Sequence, residues 1–419
     1  MALFWFLHLY LSQFKWITAL LQKHSEIRMR GIDLPDDLIV EVLSLLPVKS
    51  LLQLKCVNKS WNSLISDPKF VKLHLQLSTP NRNLALVQYD RPDCRVLTFP
   101  LNHLLHNPST TIPTHQFICK DNIQFQVIGS CHGLICLLRK SYTSDHTNIH
   151  FRFWNPATRV ISKELGSFQQ SNYHAHDRHR YIFGYDNFTG SYKVVLMCSG
   201  KVKIFNIGDN IWTEISSFPR FDHDVSLGSD RVNNGVYLNG TVNWIAFQDD
   251  LSCSTYSWMQ RDTTLEQYMI ILLDLGTETY KQLQPPRGDG VNLVVPRFEP
   301  TIAVLMDCLC FSHYVKRTHF IIWKMTKFGF EQSWTQFLKI SFQNLQVDNN
   351  FSDWNQYQTF MFPLCLSENG ETLILASSLP GLCQVILYNL RRNRVERTKD
   401  LGRIWSFAKD YVESLASIR

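Results

Sequence analysis

The segment Gly-Ser-Cys-His-Gly at 129–133 is the part of this chain that most resembles catalytic machinery. It places Cys131 where a nucleophile elbow carries its nucleophile, and His132 follows directly. That motif needs a strand before the turn and a helix after it. The residues after Gly133 are Leu-Ile-Cys-Leu-Leu, an apolar run typical of a strand. The sequence therefore favours a structural turn over a cysteine hydrolase, and it predicts no catalytic residue.

A second segment has residue types that bind metals. His174, His176 and His179 lie beside Asp177. Structural zinc sites need four ligands at fixed spacing, usually with paired cysteines, and neither CxxC nor HExxH accompanies these histidines. The pattern favours a polar loop. The sequence also contains no phosphate-binding glycine loop and no dinucleotide fingerprint, so we expect no metal and no cofactor.

The first element that could position a site is a short helical module at 34–70. Its first predicted helix carries two apolar stripes, which are Leu38, Val42 and Leu45 on one side and Ile39, Leu43 and Leu46 on the other. Pro47 ends that helix, two more helices follow, and Asp67-Pro68 is predicted to end the module. Three helices of about ten residues each cannot bury so much apolar surface by themselves. The pattern predicts either a surface for a partner protein or a cap packed on the rest of the chain.

The module resembles an F-box, and the similarity extends from Leu-Pro-Asp-Asp-Leu at 34–38, through 41–52 and 54–65, to Asp-Pro-Lys-Phe at 67–70. An F-box implies docking onto a Skp-type adaptor and, through it, onto a cullin ubiquitin-ligase scaffold. The adaptor contacts implied by the resemblance are Leu34, Pro35, Leu38, Val42, Leu46, Pro47, Val48, Leu51, Cys56, Val57 and Trp61.

Composition and charge narrow the possible classes of protein. With 45% hydrophobic and 19% charged residues, the chain is globular rather than disordered. Its net charge of +6 is spread along the sequence, so nucleic acid is not expected as a partner. A local basic rim of Lys49, Lys55 and Lys59 suits an acidic partner surface. Eleven scattered cysteines without framework spacing indicate reduced thiols and predict a location in the cytoplasm or nucleus.

Residues 1–28 form a strongly apolar extension. A signal peptide would need positive charge before the apolar run, and a membrane span would need about 20 uninterrupted apolar residues. The leading hypothesis is that these residues come from an upstream start codon and that Met29 begins the working protein. A helix lying on a membrane surface is the alternative hypothesis; otherwise no membrane contact is expected.

Residues 84–410 show short β-rich runs in place of helical periodicity. A sequence unit recurs five times: an apolar strand, an Asx-like position, a polar turn and a second strand. The residue at the Asx-like position, here called the anchor, is Asn155, Asn206, Asp274, Lys324 or Asn389, and the copy at Lys324 is the loosest match. The anchors lie 51, 68, 50 and 65 residues apart. Four strands in each period of about 50 residues match a propeller blade. The pattern favours a propeller of about six blades; the alternative is a pair of β-sandwiches or an irregular barrel.

The same region resembles the F-box-associated (type 1) domain of plant F-box proteins, a kelch-related propeller. The similar segments include Phe-Trp-Asn-Pro-Ala-Thr-Arg at 153–159, Phe-Gly-Tyr-Asp at 183–186 and Asp-Tyr-Val-Glu-Ser-Leu at 410–415. The predicted fold class is therefore α+β, with a three-helix F-box at 29–76 and an all-β kelch-like propeller at 84–410. The resemblance implies a non-catalytic, substrate-recognition subunit of a Skp–cullin–F-box ubiquitin ligase.

Specificity for an unknown protein target is expected in the long connections 141–150, 166–179, 218–231, 249–264 and 285–300. Their aromatic residues and arginines have the residue types that interfaces favour. The predicted target contacts are Tyr142, Tyr173, Arg178, Arg180, Phe221, Tyr256, Trp258, Arg261 and Arg287. Two alternatives stay open: a propeller lectin or enzyme whose helical module is an oligomerisation cap, and an adaptor-bound scaffold that does not direct degradation.

Overall fold

The structure is a computed structural model. It describes residues 36–77, 82–90, 93–107, 115–119, 125–171, 179–198, 201–215, 218, 235–247, 265–287, 300–315, 318–345, 360–379, 382–398 and 405–418. The chain divides into two compact units, Met1–Thr79 and Pro80–Arg419. No described helix is long and apolar enough to cross a membrane, and the apolar extension 1–28 lies outside the described residues.

The helical unit contains four helices in its described part. They are α1 (Asp36–Ser44), α2 (Val48–Leu54), α3 (Lys59–Ser66) and α4 (Pro68–Leu77). The side chain of Asn58 caps α3 by accepting the Trp61 amide at 2.7 Å. Asp67 ends α3, in agreement with the prediction that Asp67-Pro68 ends the run of three helices, but a fourth helix begins directly at Pro68. Asp67 accepts the Lys69 amide at 2.7 Å, and Pro68 occupies the first helical position, where proline costs no hydrogen bond.

The core of the helical unit is formed by one face of each helix. Its buried apolar side chains are Leu43, Val48, Leu51, Leu54, Ile65 and Phe70. Helix α4 packs against α1 and α3, and α2 packs against α3. The fourth helix therefore covers apolar surface that three helices would leave open.

In its described part, the second unit consists of strands, one α-helix, α5 (Leu101–His106), between the second and third of them, and two short 3-10 helices, Leu265–Gln267 and Glu331–Ser333. The first twelve strands are β1 (Arg82–Asp90), β2 (Asp93–Pro100), β3 (His115–Cys119), β4 (Phe125–Cys131), β5 (Leu134–Tyr142), β6 (His146–Asn155), β7 (Val160–Ile161), β8 (Leu165–Ser171), β9 (Arg180–Asp186), β10 (Ser191–Cys198), β11 (Lys201–Asn206) and β12 (Ile211–Ile215). The others are β13 (Val236–Leu238), β14 (Thr241–Phe247), β15 (Tyr268–Asp274), β16 (Tyr280–Leu283), β17 (Thr301–Leu305), β18 (Cys308–Val315), β19 (His319–Met325), β20 (Trp334–Ser341), β21 (Phe360–Leu366), β22 (Thr372–Leu379), β23 (Leu382–Asn389), β24 (Arg394–Arg397) and β25 (Trp405–Val412).

These strands form six antiparallel sheets that are the blades of a β-propeller. In order from the inner strand outward, blade 1 is β25-β1-β2-β3, blade 2 is β4-β5-β6 followed by β7 and β8, blade 3 is β9 to β12, blade 4 is β13 to β16, blade 5 is β17 to β20, and blade 6 is β21 to β24. The inner strands contact each other in a closed ring, β25-β4-β9-β13-β17-β21 and back to β25. Six blades confirm the predicted propeller.

The ring closes through a strand from the far end of the chain. β25 pairs antiparallel with β1, from Arg82 opposite Val412 to Val87 opposite Phe407. Blade 1 therefore takes its inner strand from the C-terminal part of the sequence and its other three from the N-terminal part. The apolar cores lie between neighbouring blades, as between blades 3 and 4, where Trp244 is fully buried.

Strand order sorts the connections into two faces. In an antiparallel blade, the first-to-second and third-to-fourth connections lie at one end, and the second-to-third and blade-to-blade connections lie at the other. Tight turns at the first end, here called the turn face, include 132–133, 187–190 and 239–240. The opposite end, here called the loop face, contains 143–145 and the described strand ends on either side of 172–179, 216–235, 248–264 and 284–300.

The predicted repeat corresponds to the third-to-fourth-strand hairpin of blades 2 to 6. Asn155, Asn206, Asp274 and Asn389 each end a third strand and accept backbone amides of the following turn through a side-chain oxygen, as in the 2.8 Å bond from the Thr277 amide to Asp274. Lys324 lacks this group, and its hairpin turns through a longer connection instead. Asn239-Gly240, flanked by alternating apolar residues, is a sequence signal for a two-residue hairpin, and the structure confirms it between β13 and β14, where both residues have positive φ.

Buried polar side chains also join parts of the ring that are distant in sequence. Lys193 on β10 is buried and lies 3.1 Å from Asp186 and 2.6 Å from the Leu275 carbonyl of the next blade. Burial works to raise the pKa of Asp186, but hydrogen bonds from Thr189 and Lys193 outweigh it and leave that pKa below its ordinary value. At the closure, the Asn155 amide nitrogen donates to the carbonyls of Ser414 at 2.9 Å and Ala416 at 2.7 Å.

Candidate functional site

The helical unit exposes an apolar surface along α1 and the corner that follows it. Leu38, Val42 and Leu45 are 47%, 43% and 61% exposed, and together they form what is here called the apolar stripe. Their spacing of four and three residues places them on one side of the helix, away from Leu43, which is buried in the unit's core. Side chains of this size are usually buried, so a contiguous exposed row indicates a binding surface.

The corner between α1 and α2 extends this surface. The Leu46 amide donates to the Leu43 carbonyl at 3.1 Å, and Pro47 begins the next helix with its own side chain exposed. Val57, in the turn after α2, is 51% exposed. Of the predicted basic rim, Lys49 and Lys59 are exposed and Lys55 is partly exposed.

The structure separates the predicted adaptor contacts into three groups. The exposed group contains Leu38, Val42, Pro47, Cys56 and Val57. Leu46 and Trp61 are partly exposed, and Val48 and Leu51 are buried. Leu34 and Pro35 lie outside the described residues. The two buried residues contribute to the core of the unit and add no exposed area to its surface. All of these contacts remain predictions.

Leu45 is the residue that the predicted contacts left out. Its signal was present in the sequence, because it continues the spacing of Leu38 and Val42 by three residues. At 61% exposure it is the most exposed large apolar side chain among the described residues of the helical unit.

In the sequence, the predicted target contacts on the propeller fall at, or between, strand ends of the loop face. Tyr142, at the end of β5, is 72% exposed, and Arg287 is exposed. Outside the described residues lie Tyr173, Arg178, Phe221, Tyr256, Trp258 and Arg261. The described strands that flank these residues all end at the loop face. The topology therefore assigns to one face a set of connections that the sequence alone could not group.

Arg180 corrects one expectation. It was expected to be an exposed loop residue, but it is buried at the start of β9. Its Nη1 donates to the Ile245 carbonyl of the neighbouring blade at 3.4 Å. Tyr181 and Phe183 continue the same strand in buried positions. Arg180 therefore begins a strand that is packed between blades and does not belong to an exposed loop.

The Cys131 segment is a structural turn, as the sequence favoured. Cys131 ends β4, His132 and Gly133 form the turn, and strand β5 follows. Burial raises the pKa of the Cys131 thiol well above its ordinary value and lowers the pKa of His132 to about 4. A buried, protonated thiol is a poor nucleophile. Gly133 has φ +80°, and a Cβ there would lie 2.6 Å from the Val412 carbonyl, so the turn requires glycine to fit against the C-terminal strand.

The histidine-rich segment is only partly described, since His174, His176 and Asp177 fall outside the described residues and His179 precedes β9. Among the residues that the structure describes, no group of three or more histidine, cysteine, aspartate or glutamate side chains is arranged to hold a metal ion.

Comparison with known proteins identifies both units. The family model described as "F-box domain" matches residues 32–73, and "F-box associated beta propeller domain" matches residues 91–418. The F-box/kelch-repeat protein At3g23880 of Arabidopsis thaliana is 29% identical over 325 residues, covering 74% of this chain and 79% of the relative. The F-box protein At3g07870 of the same plant is 24% identical, covering 81% and 82%. Among solved structures, TolB from Acinetobacter baumannii aligns over 80% of this chain and 66% of its own at 8% identity and a TM-score of 0.44, too low to bear on function.

Proposed function

This chain belongs to the family of proteins that carry an F-box-associated β-propeller domain, and from that premise we propose that it is the substrate-recognition subunit of a Skp–cullin–F-box ubiquitin ligase. An F-box followed by this propeller is the domain pair of an F-box substrate adaptor, and the F-box implies binding to a Skp-type adaptor. The proposal extends this to a cullin scaffold and to a protein target held by the propeller, in the cytoplasm or nucleus.

The apolar stripe is the observation that carries the proposal. A unit of four short helices buries Leu43, Leu51 and Ile65 in its own core but leaves Leu38, Val42 and Leu45 in water. Each exposed side chain costs free energy that burial under a partner would recover, at about 25 cal/mol for each Å² of apolar area. The exposed Lys49 and Lys59 nearby suit an acidic rim on that partner.

The loop face supports the second half of the proposal, the binding of a target. The turn face is built largely from tight hairpins such as Asn239-Gly240, whose backbone is fixed by the strands. The described strands that flank the long connections 216–235 and 248–264 end at the loop face, and in such connections the sequence can vary without disturbing a blade core. In the sequence, the predicted target contacts other than the buried Arg180 fall at, or between, described strand ends of this face.

In this proposal the chain performs no chemistry of its own. Ubiquitin passes to the target from a conjugating enzyme held elsewhere on the scaffold, and this chain raises the effective concentration of the target beside it. The buried thiol of Cys131 supports a structural role for the one segment that resembled a catalytic motif.

Affinity purification of the full chain from plant cells with the proteasome inhibited tests the proposal. The comparison is between the natural sequence and a variant with Leu38→Asp and Val42→Asp, which places two charges on the apolar stripe. We expect the natural sequence to recover a Skp-type adaptor, a cullin and target polypeptides. We expect the variant to lose the adaptor and the cullin while keeping the targets, because the propeller is unchanged.

Two results would contradict the proposal. Equal recovery of the adaptor with both proteins would show that the apolar stripe is not its binding surface. Absence of both adaptor and cullin from the natural protein, in a purification that does recover other partners, would remove the ligase assignment. A target whose abundance does not respond to proteasome inhibition would favour the scaffold alternative.

A further inference from the structure

His74 on α4 makes a buried contact with the corner that extends the apolar stripe. The side chain is 1% exposed, and its Nε2 lies 2.8 Å from the carbonyl oxygen of Leu46. Because Leu46 lies between α1 and α2, the bond connects the last helix of the unit to the connection between the first two. The ring also stacks on Phe70, one turn earlier in α4, with centroids 6.3 Å apart.

The chemistry of the two groups fixes the direction of this hydrogen bond. A carbonyl oxygen only accepts, so Nε2 of His74 carries a proton and donates it. Burial lowers the pKa of the imidazole, although the bond to Leu46 acts in the opposite direction. The ring is therefore neutral near pH 7, with its proton on Nε2. His74 acts here as a hydrogen-bond donor of fixed direction rather than as a charge.

The bond lies at a point where the backbone has few other partners. Carbonyl groups at the C-terminal end of a helix have no amide four residues ahead to satisfy them. After α1, the Leu45 amide returns to the Val42 carbonyl at 3.4 Å and the Leu46 amide to the Leu43 carbonyl at 3.1 Å. The next residue, Pro47, has no amide hydrogen, so this turn cannot continue through a bond from residue 47. In the same corner, the carbonyl of Leu46 accepts from His74, a side chain of a different helix.

The neighbours of Leu46 belong to the exposed surface. Leu45 is 61% exposed, and Pro47 is exposed on the other side of the bonded carbonyl. The bonded carbonyl belongs to the peptide group between Leu46 and Pro47, so a rotation of that group would turn Pro47 and the following helix relative to Leu45. The contact thus fixes the direction of two surface residues from inside the unit, without reaching the surface itself.

We propose that His74 is a positioning residue for adaptor binding, which holds the α1–α2 corner in the shape that the adaptor recognises. The inference rests on the proposed function of the apolar stripe and adds to it a residue that the adaptor does not touch. A histidine that serves only to fill the core would behave differently, since its packing could be supplied by an apolar side chain of similar size.

Two substitutions in the full chain separate these roles. His74→Leu keeps apolar packing and removes the donor. His74→Gln returns a donor, because the amide nitrogen of glutamine lies the same number of bonds from Cβ as Nε2 of histidine. The first measurement is the Kd for a purified Skp-type adaptor by calorimetric titration. The second is hydrogen exchange of the Leu46 amide at the corner and the Leu51 amide in α2, without adaptor.

We expect His74→Leu to weaken adaptor binding roughly tenfold, the usual scale for one lost hydrogen bond to a buried group, and His74→Gln to recover most of that loss. Exchange at Leu46 should accelerate in the leucine variant while exchange at Leu51 stays slow. Equal affinity of the leucine variant and the natural protein would overturn the proposal, as would a glutamine variant as weak as the leucine one. A leucine variant that exchanges rapidly at Leu51 too would also overturn it, because the histidine would then support the whole unit. If the natural protein itself does not bind the adaptor, the proposed function fails before this inference is reached.

Discussion

Shortening Leu45 to alanine should weaken adaptor binding and leave the fold intact. Complete burial of a leucine side chain contributes about 1.5–3 kcal/mol relative to full exposure. Leu45 is 61% exposed, so covering this exposed surface with a partner contributes about 1–2 kcal/mol to binding. An alanine side chain would retain part of that contribution. The expected loss is roughly 1 kcal/mol, which corresponds to a five- to tenfold rise in Kd.

Calorimetric titration of the full chain with a purified Skp-type adaptor measures this change. Leu77→Ala is the matched control, since Leu77 is also a leucine of the helical unit, is 49% exposed and lies at the end of α4 outside the apolar stripe. We expect Leu77→Ala to bind as the natural protein does. Neither substitution should change the free energy of unfolding by more than about 0.5 kcal/mol, because exposed sites contribute little to stability. Unchanged affinity in Leu45→Ala, or an equal loss in Leu77→Ala, would refute the reasoning.

Three further predictions concern the propeller. Lys193→Met removes the partner of the buried Asp186 carboxylate and should lower the free energy of unfolding in urea by about 3–5 kcal/mol, whereas an unchanged urea midpoint would contradict the role given to this pair. Asn155→Ala removes the donor to the carbonyls of Ser414 and Ala416 and should lower the free energy of unfolding by about 2 kcal/mol, with faster hydrogen exchange at residues 412–416. Exchange there that stays as slow as in the natural protein would show that Asn155 does not hold the C-terminal segment. His313 is buried, and its Nε2 accepts a hydrogen bond from the indole N–H of Trp323 at 3.1 Å. Burial lowers the pKa of His313 to about 4, whereas a histidine in the unfolded chain has a pKa near 6.5. As the pH falls, the unfolded state therefore binds a proton before the folded state does, so this residue should lower the free energy of unfolding by about 2 kcal/mol between pH 7 and 5. If the stability of a His313→Gln variant fell as steeply with pH over this range, the pH dependence could not be assigned to His313.

Local patterns in the sequence predicted most of the elements. Helical spacing of Leu38, Val42 and Leu45 indicated α1, and alternation around Asn239-Gly240 indicated one hairpin. Recurring Asx positions marked four of the six blades, because the side chain that closes each of these turns comes from the residue that ends the strand. These features are encoded within a few residues and can be read without knowledge of distant contacts.

Blade 1 could not be read in the same way. Its third and fourth strands are separated by helix α5 in place of an Asx turn, so its repeat is not visible. Its inner strand, β25, begins at Trp405, more than 300 residues after β1. Pairing over that distance leaves no local signal, and the sequence accordingly did not predict how the ring closes.

The candidate site was predictable in part. The apolar stripe is visible as spacing, but α2 carries apolar residues on several sides, so the sequence could not tell that Val48 and Leu51 face the core. Asp67-Pro68 resembled an end signal because proline disfavours a helical residue before it, yet the same pair caps and begins α4. The contact from His74 to Leu46 depends on the packing of α4 on α1 and has no counterpart in sequence spacing.

Hydrogen exchange of the full chain with and without a Skp-type adaptor tests the docking surface most directly. If the apolar stripe and the following corner are where the adaptor binds, protection should appear in residues 36–57 and leave the blade strands β4 to β24 unchanged. Protection confined to the propeller, or no protection at saturating adaptor, would contradict the assignment of this surface.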